Sequence, residues 1–146
     1  MSQLDSYLFF DGTCAEAMRF YEKTLGGTIE MSMTYGEAPP SPDHPAPTGE
    51  AAKRIMHASM TLEGSCIMAS DMPPGMPFEP MKGITVSLAY PDVGRGKDVF
   101  DALSAGGTVT MPYQKTFWAA GFGMCTDRFG TPWMVNAGGD SGMDQA

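Results

Sequence analysis

Leu4 to Phe10 is a short apolar run rich in aromatic residues and reads as a strand. Asp11-Gly12 closes it. Thr13-x-x-Glu16 follows as a capping box, in which each side chain is spaced to satisfy a free amide at a helix start. Cys14, Met18, Tyr21 and Leu25 then recur at helical spacing, and Ala17 and Phe20 widen the stripe, which predicts a helix with one buried face. Gly26-Gly27 stops it, because glycine takes the left-handed C-cap at little cost. Thr28 to Tyr35 is a second strand. Gly36 to Arg54 breaks the pattern with five prolines (Pro39, Pro40, Pro42, Pro45 and Pro47) and little apolar bulk, and predicts a mobile surface loop. Ile55 to Leu62 and Ser65 to Ser70 flank Glu63-Gly64 as a β-hairpin.

The same order of patterns then returns. Gly26-Gly27-Thr28-Ile29-Glu30-Met31 is echoed eighty residues later by Gly106-Gly107-Thr108-Val109-Thr110-Met111. A repeat of that length exceeds any solenoid unit and marks two copies of one supersecondary module. Ile84 to Tyr90 is the strand of the second copy, and Asp92 to Ala105 is its helix, with Val99, Phe100 and Leu103 on the apolar face. Thr108 to Tyr113 and a hairpin over 123–136, turning at Asp127 to Gly130, complete it. The prediction is an α+β fold of two tandem β-α-β-β-β modules, at 4–71 and 83–137. They are joined by a proline-rich linker at 72–82, and a tail at 138–146 frays. Curved mixed sheets with helices outside would enclose a cavity, the expected place for a site.

Composition narrows the setting. The 42% hydrophobic content over 146 residues suits one globular domain. A formal charge of −8 and nine scattered basic residues disfavour nucleic acid and anionic membranes as partners. No apolar run is long enough to span a membrane, and the start of the chain lacks the basic region of a signal peptide, which predicts a cytoplasmic protein. Cys14, Cys66 and Cys125 form no CxxC pair and read as packed thiols, since none has an adjacent base. The fourteen methionines pack adaptably, either as core or as the lining of a tolerant pocket. Gly94-Arg95-Gly96 is a lone GxG at a helix start, without the strand and acidic residue of a nucleotide fingerprint.

Several segments together carry a family resemblance. Ala17-Met18-Arg19-Phe20-Tyr21 running to Leu25-Gly26-Gly27, and Asp127-Arg128-Phe129-Gly130-Thr131-Pro132-Trp133, resemble the vicinal-oxygen-chelate superfamily of glyoxalase I, extradiol dioxygenases and bleomycin resistance proteins. Tyr7 to Gly12, Met56-His57-Ala58, Met68 to Asp71 and Trp133 to Asn136 resemble its PhnB-like group. The resemblance implies metal ligands on the sheet faces. Register against the helix and turn signatures puts Ser6, Met68, Thr85 and Met134 at those positions, and none offers an imidazole or carboxylate. A slip of one residue does not restore a donor. The expectation is therefore a metal-independent protein without cofactor that binds a small organic molecule. Ser6, Tyr7, Met68, Gln114, Trp118 and Met134 would line the site. The alternative is a glyoxalase- or dioxygenase-like enzyme with a non-standard site, and analogy with the family implies a homodimer.

Individual residues keep two readings. His57 is either a general base suited to neutral pH or a strand histidine hydrogen-bonded to a neighbour. Tyr113, Gln114, Phe117, Trp118 and Phe122 either wall in an apolar ligand or plug a core or dimer contact. Asp71 and Asp127 sit at turns, where capping of backbone amides is favoured over paired-carboxylate catalysis.

Overall fold

The computed structural model describes residues 2–139. Contacts divide the chain into two compact units, the first ending at Pro80 and the second beginning at Met81. The first unit runs β1 (Ser6–Phe10), α1 (Cys14–Leu25), β2 (Thr28–Thr34), α2 (Glu50–Lys53), β3 (Ile55–Leu62) and β4 (Ser65–Asp71). Its sheet has the order β1-β4-β3-β2, with β1 parallel to β4 and the other pairs antiparallel. The second unit runs β5 (Val86–Tyr90), α3 (Val93–Ser104), β6 (Thr108–Gln114), β7 (Gly121–Thr126) and β8 (Pro132–Ala137). Its sheet, β5-β8-β7-β6, repeats the first in order and in sense. One irregularity also matches: register shifts fall between Ile29 and Met31 in β2 and between Val109 and Met111 in β6. The repeat seen in sequence is thus a repeat of topology. The tail expected at 138–146 lies, from residue 140 on, outside the described residues.

Helices α1 and α3 each cover one face of their own sheet. Cys14, Ala17, Met18, Tyr21 and Leu25, the stripe predicted for α1, are buried together with Leu8, Phe10, Met60, Ile67 and Ala69. In the second unit Val99, Phe100 and Leu103 of α3 are buried, as are Trp133 and Val135 of β8. Both Gly-Gly pairs have the same division of labour. Gly26 and Gly106 turn the chain at φ 79° and 77°, where a Cβ is strained. Gly27 and Gly107 instead pass so close to the next hairpin that a Cβ would collide with the carbonyls of Thr61 and Thr126.

Three expectations are corrected. The Thr13–Glu16 capping box does not form, since Thr13 makes no side-chain cap bond. Asp71 takes its place: Oδ1 accepts from the N–H of Gly12 at 2.7 Å and of Cys14 at 3.0 Å. A carboxylate accepts such bonds more strongly than a hydroxyl. The segment 36–54 is not irregular throughout, because it contains α2 and is tied at its base by Tyr35 N–H to Arg54 O (2.9 Å) and Gly36 N–H to Ala52 O (3.0 Å). The fifth strand begins at Val86 and leaves Ile84 and Thr85 outside the sheet. Among the described residues no helix is long and apolar enough to cross a membrane.

Candidate functional site

Each sheet has a second face, away from its helix, and strand alternation decides what stands on it. In the first sheet Tyr7 pairs with Met68, and Met68 with Ser59. Tyr7, Phe9, His57 and Met68 therefore share the face opposite Leu8 and Phe10. Tyr7 Oη lies 3.1 Å from His57 Nδ1, their rings are 5.7 Å apart, and Phe9 stands 5.1 Å from Tyr7. Tyr7 and Phe9 are 40% and 48% exposed, an accessible aromatic row beside an imidazole. Ser6 does not join it. It pairs with Ile67 and falls on the side of Leu8 and Phe10, the side α1 covers.

In the second sheet α3 fixes the faces. A Cβ on Gly96 would stand 2.7 Å from Ala137 Cβ, and one on Gly123 would stand 2.8 Å from the Phe100 ring. Gly123, Val135 and Ala137 thus face the helix, and the lone GxG of the sequence is a close helix–sheet contact. The other face carries Phe122, Met124, Met134 and Asn136, paired as Phe122 with Asn136 and Met124 with Met134. Gln114 lies opposite Phe122, and the Trp118 ring meets Phe122 edge-on at 5.2 Å. Gln114 and Met134 therefore stand on one face, and Trp118 reaches it through Phe122. Tyr113 leaves that cluster: its ring stacks on Phe100 at 5.6 Å and its hydroxyl donates to Val93 O at 2.8 Å. Strands β5 to β8 contain no Lys, Arg, His, Asp or Glu. Asn136 Oδ1 is buried without a hydrogen-bond partner among the described residues.

The buried carboxylates are structural. Besides capping α1, Asp71 accepts from Ile55 N–H through Oδ2 at 2.9 Å. Asp127 accepts from the N–H of Phe129 (2.8 Å) and Thr131 (3.0 Å), and from Trp133 Nε1 (2.8 Å). Burial, reinforced by Asp71, pushes the Cys14 thiol up to about 12; burial, reinforced by Asp127, pushes Cys125 up to about 11. Both stay protonated at neutral pH and cannot serve as nucleophiles there.

A divalent ion needs several nitrogen or oxygen donors converging. Register puts Tyr7 beside Met68 and Ser87 beside Met134, and neither pair brings an imidazole or carboxylate. Among the described residues no three His, Cys, Asp or Glu side chains gather as a metal requires. The donor set does not fit a divalent ion of the kind the resemblance implies. Phe9 and Asn136 belong to the motifs that carry the resemblance but not to the expected site, although both stand two residues along a strand from one of its members.

The duplicated β-α-β-β-β topology and the match of residues 3–135 make this chain a member of the Glyoxalase/Bleomycin resistance protein/Dioxygenase superfamily. Among individual proteins, YjdN of Escherichia coli strain K12 is 40% identical over 139 residues, covering 91% of this chain and 93% of YjdN. The crystal structure of PA1353 from Pseudomonas aeruginosa matches with a TM-score of 0.86 at 41% identity, over 96% of this chain and all of that one. A PhnB protein from Bacillus cereus shares the fold with a TM-score of 0.72 at 23% identity, over 93% of this chain and 99% of that one.

Proposed function

We propose that the protein binds a small, uncharged, largely apolar or aromatic organic molecule without a metal ion. The observation that carries this reading is the open face of the second sheet. There Trp118 and Phe122 form an aromatic corner, Met134 and Met124 give an adaptable floor, and Gln114 gives one polar contact, on four strands with no Lys, Arg, His, Asp or Glu. Tyr7 and Met68 offer a similar lining on the first sheet, and Ser6 is the member of the expected set that its register disfavours. The family likeness supports the same reading, together with a cytoplasmic homodimer whose sedimentation would give twice the chain mass.

The test is a screen of neutral aromatic compounds read by tryptophan fluorescence and melting temperature, with native mass spectrometry for a co-purifying molecule. A saturable signal is expected, weakened about tenfold by Trp118→Ala, which is the scale of one lost aromatic contact. A library in which nothing binds, or binding indifferent to Trp118, would remove the reading.

A second reading rests on the 3.1 Å contact between Tyr7 Oη and His57 Nδ1. A phenol and an imidazole in reach of each other can pass a proton, so the first sheet could carry acid–base chemistry. His57→Ala abolishing a turnover found by substrate screening would favour it; unchanged turnover would exclude it.

A further inference from the structure

The proline-rich segment after β2 builds a compartment of its own. A cavity of about 680 Å³ lies between this segment and residues 73–76, with Tyr35, Pro39, Pro45, Met56, Pro74 and Met76 among its walls. That volume is within the range of small-molecule sites. It is separate from the sheet face described above, since Tyr7, Phe9, His57 and Met68 are not among its walls.

Hydrogen bonds hold both walls. Beyond the ties at the base of the loop, its tip is closed by Ser41 N–H to His44 O (3.0 Å) and His44 N–H to Ser41 O (3.1 Å). Tyr35 Oη donates to Asp71 O at 2.9 Å. Across the cavity, Arg54 donates to Met72 O through Nε (3.2 Å) and Nη2 (3.0 Å), and Met76 N–H to Pro73 O (3.0 Å) closes the turn. Proline rings have little conformational entropy to lose, so such a compartment stands ready before a ligand arrives. Its chemistry is selective. Proline rings, the Met56 and Met76 thioethers and the Tyr35 ring suit a flat aromatic group, sulfur in particular favouring aromatic edges. Asp43 contributes a carboxylate, and the lining holds no lysine or arginine.

We infer that segment 35–47, Met56 and residues 73–76 form a second small-molecule site, which takes a flat aromatic ring bearing a cationic amine near Asp43. The test uses the full chain carrying 13C-labelled methionine methyls, with Met56 and Met76 assigned through Met56→Leu and Met76→Leu. The probes are phenethylamine, 3-phenylpropionate and cyclohexylethylamine. Phenethylamine is expected to move the Met56 and Met76 methyls upfield in a saturable way, and to bind about fivefold more tightly than 3-phenylpropionate, the scale of one exposed charge contact. Asp43→Asn, at an exposed position, should narrow that gap to about twofold without altering the melting temperature. Equal binding of amine and carboxylate, equal binding of cyclohexylethylamine, or no saturable shift at either methyl would overturn the inference. Aromatic-induced shifts confined to Met124 and Met134 would also overturn it, while leaving the sheet-face site standing.

Discussion

Asp71 ends β4 with its carboxylate between the start of α1 and the start of β3, and Cys14 opens α1 against it. The role of this aspartate was legible in the sequence, because an acid at a turn caps amides; its partners were not, since Gly12 and Cys14 are 59 and 57 residues away. The contact has a consequence in alkali. Burial first, and the neighbouring Asp71 second, hold the folded Cys14 thiol up to about 12 against 9.0 for an ordinary thiol. Below pH 9 both states keep the proton and the group has no effect on stability. Between pH 9 and 12 only the unfolded chain releases it, so stability falls by roughly 1.4 kcal/mol per pH unit. Cys125, up to about 11, adds a smaller loss over pH 9 to 11. Urea denaturation from pH 7 to 11 is expected to show a flat midpoint followed by a decline above 9, reduced in Cys14→Ala. A decline of equal slope in that variant would show that other groups set it.

Helix α3 shows what the hydrophobic pattern yields at the scale of an element and where it stops. Val99, Phe100 and Leu103 mark the buried face in sequence and are buried in the fold. The role of the two glycines in its first turn was not legible, because a GxG carries no record of what lies beneath it. A Cβ on Gly96 would press on Ala137, Val135 and Tyr113, whereas one on Gly94 would meet nothing closer than Asp92 Oδ1 at 3.5 Å. Gly96→Ala should therefore force the helix outward and cost about 1–3 kcal/mol, as overpacking does. Gly94→Ala should be neutral or stabilising by up to about 1 kcal/mol, through helix propensity alone. Denaturant melts of the two variants check the contrast, and equal effects would mean that propensity rather than contact governs both. Strands are harder to read than helices for a related reason. A shift of one residue exchanges the two faces of a strand. That is how Ser6 came to be named where Tyr7 stands beside Met68.

At the scale of the whole molecule, the duplicated Gly-Gly-Thr segment pointed to two modules with the same order of elements, and their sheets share one strand order because topology follows the sequence of elements more closely than their limits. The metal question rests on narrower ground: a metal site needs particular side chains, and the positions that the resemblance assigns, Ser6, Met68, Thr85 and Met134, hold no imidazole or carboxylate. On the proposed reading, protein prepared without chelator should carry far less than one transition-metal ion per chain. Its melting temperature should not respond to EDTA or to added Zn²⁺, Mn²⁺ or Ni²⁺. The melting measurement is sensitive enough to decide. A site in the native state filled at a hundred times its Kd would add about 2.7 kcal/mol of stability. In a chain of this size that raises the melting temperature by roughly 5 to 10 °C. A saturable rise of that order, with a stoichiometric ion confirmed by elemental analysis, would show that donors converge in a way the described residues do not. His57→Ala would then ask whether the imidazole beside Tyr7 is one of them: loss of the rise would move the function to metal-assisted chemistry, and persistence would direct the search to carboxylates.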